Sequence, residues 1–475
     1  MIKTIIDVCI ELLQSLFTGL EGLFEEDDTH HAEFGKASNM LSKKNKGWCI
    51  DGLRFVDMDT TRRNLAIIAG SGMGKTQTNI LPLILNSKSS MVINDNSSEL
   101  ATAENYLKSE GAETMIFNLT KKTGVYLNPL DGCKGDLAAI RKVVQSIMGS
   151  GSNKSDFFTL SGEDCITLFA QHILESEPRV YGNLGNVYRL ILEFQANPKL
   201  VEYYMAEKAS EDVWRKFLAL SQNSEKTLKS ILATSLSALS WLGDNQILCD
   251  LTSVTNIDFN SFRKKQTVLF IQSPASDSAF YAKMVALVFQ TFYRFAFAEL
   301  PKEEDLDIKM ILDEFSSLIP GLPDYSQIIS NSRKFKIPQL IVLQDESLLS
   351  PYGELKDNIL GNCYLKCYYG GQNKKSLELE RLLGSYSYKE KKSEQYKTRP
   401  LMYASEIQQM KDEVLVLVSG EKPFKTKITP AYKQRKLKNY LAMELKEEVE
   451  ETPIARYCIQ YIDLKTYKER VANEK

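Results

Sequence analysis

What this chain of 475 residues lacks narrows its class before any motif is read. No apolar run reaches the roughly 20 residues that a membrane-spanning helix needs. The amino terminus is apolar in part, but Asp7 and Glu11 interrupt it, so it does not read as a secretory signal. A cytoplasmic protein is expected. Histidine is scarce: only His30, His31 and His172 occur, and none has a second ligand at metal-binding spacing. The eight cysteines are scattered, which suits a reducing compartment better than a disulfide framework. Cys363 and Cys367 form the one close pair, with no further Cys/His pair nearby, and read as buried thiols. An excess of either charge is also missing. Lys and Arg number 59 against 61 Asp and Glu, a net charge of −2, so any polyanion must meet a local basic surface such as a channel lining.

What is there describes an ordinary globular chain, 43% hydrophobic and 25% charged, long enough for a large core and two folding units. One stretch organises it: Asn64-Leu-Ala-Ile-Ile-Ala-Gly-Ser-Gly-Met-Gly-Lys-Thr76. Leu65 to Ile68 reads as a short buried strand. The segment Gly70, Ser71, Gly72, Met73, Gly74, Lys75 and Thr76 follows at once. Its glycines let backbone N–H groups close on a polyphosphate, its lysine supplies a cation, and its threonine a hydroxyl for Mg²⁺. A helix is expected to start here with its amino terminus toward the phosphates. The pattern is a Walker A loop in which Ala69 takes the place of the first glycine.

Further strands are expected at Ser90 to Ile93, Thr114 to Phe117, Thr267 to Ile271, Lys309 to Leu312, Leu340 to Leu343, Tyr364 to Tyr369 and Val414 to Val418. Their alternation with helical stretches predicts a parallel α/β sheet. Between Gly149 and about Asn256 only helical periodicity appears, over Ser161 to Glu177, Asn183 to Phe194, Lys199 to Lys208, Asp212 to Leu220 and Glu225 to Leu242. Ser161 with Asp164 resembles a capping box. Tyr386 to Arg399 is basic and polar and reads as a mobile loop. From Tyr440 the chain turns charged and reads as helical and peripheral.

Ile308-Lys-Met-Ile-Leu-Asp313-Glu314 is an apolar strand ending in two carboxylates, where sheet ligands gather. Asp313 suits the water shell of Mg²⁺, and Glu314 suits polarising an attacking water. Gln344, at the end of another strand, can bond both a water and a γ-phosphate. Arg333, in the basic cluster Arg333-Lys-Phe-Lys336, is a candidate to stabilise transition-state charge on a neighbouring subunit's nucleotide. Asp95 and Glu99, beyond a further strand end, are candidates for supporting groups.

The ordered set resembles the type IV coupling proteins, the TraG/TraD-like ATPases of bacterial conjugation and type IV secretion. It comprises Ala69 to Thr76 with Ile80-Leu-Pro-Leu83, Val92-Ile-Asn-Asp95 through Glu99-Leu100, Asn128-Pro-Leu130, Leu312-Asp-Glu-Phe315, Arg333, Leu343-Gln-Asp345, Gly361-Asn-Cys363 and Arg399-Pro-Leu401. Where the family usually reads Asp-Pro-Lys-Gly-Glu, this chain has Asp95-Asn-Ser-Ser-Glu99. The resemblance implies an α/β, RecA-like P-loop NTPase fold with an inserted all-α domain, working as a homo-hexamer. It implies ATP with Mg²⁺ as cofactors and single-stranded DNA, a relaxase and a membrane protein of the secretion channel as partners. The division expected is an amphipathic helix and acidic linker over 1–28, nucleotide-binding parts over 29–148 and 257–439, an all-α domain over 149–256 and a charged segment over 440–475.

Most members have an N-terminal membrane domain, and none is expected from this sequence. At that end Met1 to Phe24 carries Ile2, Ile5, Ile6, Cys9, Leu12, Leu13, Leu16, Leu20 and Leu23 on one helical side, followed by the acidic run Glu25 to Asp28. That stripe can pack on the protein's own core, bind lipid, or dock on a membrane protein. The acidic surroundings favour the last, which would place the protein at the inner face of the cell membrane. Two rival readings of the whole remain: a HerA/FtsK-type double-stranded DNA translocase, and a non-enzymatic adaptor for secretion substrates.

Overall fold

A computed structural model of the chain describes residues 31–149, 156–389, 396–444 and 456–473. Met1 to Phe24, the run Glu25 to Asp28 and His30 lie outside the described residues. The strands are β1 (Leu65–Ile68), β2 (Ser90–Asp95), β3 (Glu113–Asn118), β4 (Thr267–Gln272), β5 (Ile308–Leu312), β6 (Gln339–Leu343), β7 (Leu365–Tyr368), β8 (Ser385–Lys389), β9 (Tyr396–Pro400), β10 (Glu413–Val418) and β11 (Phe424–Lys427). Nine of them form one sheet, in the order β11-β10-β7-β1-β6-β5-β2-β4-β3. Neighbours from β7 to β3 run parallel, whereas β10 is antiparallel to both β7 and β11. The parallel expectation therefore holds for seven strands and not for the edge pair.

The central strands are buried along their whole length, as strands covered on both faces must be. The strand period of two divides their side chains between two cores. Ala66, Ile68 and Val92 face one, and Leu65, Ile67, Met91 and Ile93 face the other. The first core is continuous with the helices that lie between β3 and β4, among them Leu137–Met148, Phe157–Ser176, Leu184–Ala196, Pro198–Lys208 and Glu225–Gly243. No strand interrupts them among the described residues.

Three expectations need correction. The helix that contains Ser161 starts at Phe157 and is capped by Asp156, whose side chain accepts the Thr159 N–H; Ser161 lies within it, so the proposed capping box does not form. Tyr386 to Arg399 is largely a two-stranded hairpin, β8 against β9, rather than a loop. The chain after Tyr440 is not peripheral throughout, because Ile459, Ile462, Leu464 and Tyr467 are buried.

Candidate functional site

Parallel strands place their carboxyl ends on one edge of the sheet, and four of these ends converge. The loop Ala69 to Thr76 follows β1, Asn96 follows β2, Asp313 and Glu314 follow β5, and Gln344 follows β6. Register sets their depth. Ile68 pairs with Leu343, and the Ala69 N–H donates to the Leu343 carbonyl at 2.9 Å, so exposed Gln344 emerges directly beside the loop.

Gly72 and Gly74 have φ of +75° and +84°. A Cβ on Gly72 would meet nothing within 4 Å, so backbone conformation rather than space requires glycine there. The chain leaves the loop through a π-helical turn, Thr76–Ile80, and then the α-helix Leu81–Asn86. Pro82 has no N–H to give the Thr78 carbonyl, and buried Cys49 supplies a donor instead, Sγ to that oxygen at 3.4 Å. Asn79 fixes the same turn by donating to the carbonyls of Cys49 and Ile50, both at 2.9 Å.

Lys75 Nζ stands 4.0 Å from Asp313 Oδ1, so the loop and the β5 carboxylate meet. The Asp313 side chain is about one-fifth exposed; burial raises its pKa and Lys75 opposes that shift. Its main chain is held by Asn94, whose Nδ2 donates to the Asp313 carbonyl at 2.7 Å. Glu314 takes a left-handed conformation, φ 55° and ψ 47°, at the corner between β5 and the helix Phe315–Leu318. A non-glycine residue there costs on the order of 1 kcal/mol, a strain typical of functional corners.

Asn96 belongs to this edge and was not singled out from the sequence. Its Nδ2 donates to Glu314 Oε2 at 3.3 Å, and its Oδ1 accepts from Ser273 Oγ at 3.2 Å. The available signal was its departure from the Asp-Pro-Lys-Gly-Glu pattern. Asp95 ends β2 beside this edge. It is 1% exposed, its two oxygens accept the N–H groups of Leu100 and Ala101, each at 3.1 Å, and burial raises its pKa. Glu99 accepts from Gln77, just past the loop.

Arg333 is not brought to this edge. It lies between the helix Tyr325–Asn331 and the start of β6, at the amino edge, where neighbouring Ser332 bonds Asn64 ahead of β1 at 3.1 Å. The length of β6, at roughly 3.3 Å per residue, separates the two edges. Arg333 is exposed, whereas Lys336 in the same cluster is engaged: its Nζ donates to the carbonyls of Lys302, Glu303 and Asp305.

The family model described as "Type IV secretory system Conjugative DNA transfer" matches residues 24–452. No curated protein matches the chain significantly. Among solved structures, the bacterial conjugative coupling protein TrwBdeltaN70 in its unbound monoclinic form matches with TM-score 0.60 and 15% identity, over 86% of this chain and 97% of that one. TrwB in complex with the non-hydrolysable ATP analogue ADPNP matches with TM-score 0.60 and 14% identity, over 85% and 96%. TrwB with ADP and Mg²⁺ matches equally, and VirB4 of Thermoanaerobacter pseudethanolicus matches with TM-score 0.50 and 16% identity, over 82% and 97%. The RecA-like P-loop NTPase fold is thereby established.

Proposed function

The chain belongs to the type IV secretory system conjugative DNA transfer family, and from that premise we propose that it is an ATP-driven coupling protein. It recruits single-stranded DNA, with a relaxase attached, and moves it toward a type IV secretion channel. The observation that carries the reading is the meeting of Lys75 with Asp313 at 4.0 Å beside strained Glu314. An adaptor that only recruits cargo has no use for a cation, a metal-binding acid and a base on one edge.

ATP and Mg²⁺ are the cofactors proposed, the pair for which TrwB supplies solved counterparts, one with an ATP analogue and one with ADP and Mg²⁺. The glycine-bearing loop Gly70, Ser71, Gly72, Met73, Gly74 holds the phosphates by backbone N–H groups, and Lys75 neutralises them. Thr76 and Asp313 would hold Mg²⁺, which would supply charge withdrawal from the phosphates. Glu314 accepts a proton from the attacking water. Gln344 orients that water, and Asn96 holds Glu314 by its Oε2. Arg333, remote from its own loop, serves the nucleotide of a neighbouring subunit, which requires a ring such as a homo-hexamer.

In this reading residues 29–148 and 257–439 make the nucleotide-binding domain, and 149–256 make an all-α domain that meets incoming substrate. Among the described residues no helix is long and apolar enough to cross a membrane. Attachment to the inner face of the membrane falls to Met1 to Phe24, docked on a channel protein. The test is ATP turnover with added nucleic acid. Single-stranded DNA is expected to stimulate turnover more than duplex of equal length, with the effect weakening as salt rises. Stimulation by duplex alone would favour a double-stranded DNA translocase.

A further inference from the structure

The register of the sheet builds a polar row that ends on Glu314. Asp95 at the end of β2 pairs with Gln272 at the end of β4, so the next residues out, Asn96 and Ser273, lie side by side. On its other side β2 pairs with β5, Ile93 against Ile311, and the same register continued outward sets Asn96 beside Glu314. Side chains close the row. Ser273 Oγ donates to Asn96 Oδ1 at 3.2 Å, and Asn96 Nδ2 donates to Glu314 Oε2 at 3.3 Å.

The main chain around the central amide is already fixed without Ser273. Gln272 Nε2 donates to Asp95 Oδ2 at 3.3 Å, and Asn94 Nδ2 donates to the Asp313 carbonyl at 2.7 Å, so the end of β2 is tied to both neighbours. What the row adds is the direction of one side chain. An ionised carboxylate only accepts hydrogen bonds, so Glu314 requires the N–H₂ end of the amide. That turns Asn96 Oδ1 toward Ser273, whose hydroxyl must then donate. Ser273 is 4% exposed, which shields this hydrogen bond from water. The Glu314 backbone is set by its left-handed corner, but its carboxylate lies at the end of rotatable bonds. Among the described residues, Asn96 is the hydrogen-bond donor that reaches that carboxylate.

We propose that Ser273 is a positioning residue for ATP hydrolysis, acting on Glu314 through Asn96. Its hydroxyl holds the amide with the N–H₂ end toward Glu314, and the amide holds the carboxylate in place for the attacking water. The inference rests on the reading of Glu314 as the group that takes a proton from that water. It adds β4, the strand that follows the helices Phe157–Ser176 to Gln246–Leu251, to the strands whose ends serve the site.

The test is steady-state turnover by the full chain with ATP and Mg²⁺, with Glu314→Gln as the reference. Ser273→Ala is expected to lower kcat about tenfold while the KM for ATP stays within about twofold, because the loss falls on the reacting geometry and not on binding. Asn96→Ala is expected to lose at least as much. The two changes should not add: in the Asn96→Ala background, Ser273→Ala should move kcat by less than about twofold, because the link it serves is already gone. Asn96→Asp separates positioning from a structural tie. It keeps an acceptor for Ser273 but gives Glu314 no donor, so kcat should fall about tenfold or more. A tie that serves only the fold would leave that variant near the wild-type rate. Wild-type kcat for Ser273→Ala or for Asn96→Asp would overturn the proposal, and so would losses that multiply independently in the double variant. Unfolding of Ser273→Ala, read by circular dichroism, would also overturn it, since the residue would then be holding the core. Each of these results, with Glu314→Gln inactive, counts against Ser273 alone. Normal turnover by Glu314→Gln would instead refute the reading of Glu314 as the base, and this inference with it.

Discussion

His172 sets a pH limit on stability that can be worked from its surroundings. It lies in the helix Phe157–Ser176, fully buried, with neither ring nitrogen hydrogen-bonded among the described residues and the Tyr204 ring edge-on at 5.1 Å. Burial without a partner disfavours the imidazolium and lowers the pKa from 6.5 to about 4. The unfolded chain therefore binds more protons between these two values, and stability falls as pH drops through about 6.5 toward 4. At about 1.4 kcal/mol per pKa unit the full loss is about 3 kcal/mol, of which about 2 kcal/mol is gone at pH 5. His172→Phe keeps a ring against Tyr204 and removes the titration. Urea unfolding followed by circular dichroism at pH 7 and pH 5 gives the difference between the two proteins at each pH. The variant is expected to gain about 2 kcal/mol relative to wild type at the lower pH. An unchanged difference would refute the reasoning, because it would mean that the imidazole is solvated or paired in the folded state.

Three further outcomes follow from the same structure. Ser98, at φ 57°, holds a left-handed position where the resembling pattern has glycine; Ser98→Gly is expected to raise stability in thermal or urea unfolding by about 0.5–1 kcal/mol, and a loss would contradict the strain argument. Arg333→Ala is expected to bind ATP normally yet turn it over slowly, and mixing it with Glu314→Gln subunits should restore part of the activity, because some interfaces then keep both groups; no rescue in mixed rings would argue against action between subunits. Deleting Met1 to Phe24 is expected to spare ATP turnover and DNA binding while abolishing membrane association in cells, measured by fractionation; a truncated protein that fails to fold would show that this stretch packs on the core.

The elements nearest the site were the most legible. β1, β5 and β6 are short apolar runs ending in glycine or polar residues, and buried parallel strands leave that signature. Element boundaries shifted by one or two residues where burial, not periodicity, ends a strand, as at Asp95 and Gln272. The helix Ser278–Ala298 was not anticipated: it buries residues on most sides, so it shows no amphipathic stripe. The β8–β9 hairpin is partly exposed along its length, and its tyrosines and lysines show no clear apolar face. Asn96 escaped notice because its partners, Glu314 and Ser273, are distant in sequence and meet only when β2 lies between β5 and β4. Arg333 was legible as a basic residue but not as one on the far edge, since strand direction, not spacing, decides that.

The central claim is that Lys75, Asp313 and Glu314 form one hydrolytic site. Its most direct test is paired nucleotide binding and phosphate release for the wild type, Lys75→Ala and Glu314→Gln. Loss of ATP binding is expected for Lys75→Ala, because the phosphates lose their cation. For Glu314→Gln, ATP binding should stay near the wild-type level while phosphate release falls at least about 100-fold, because the amide cannot take a proton. Normal turnover by Glu314→Gln would contradict the account.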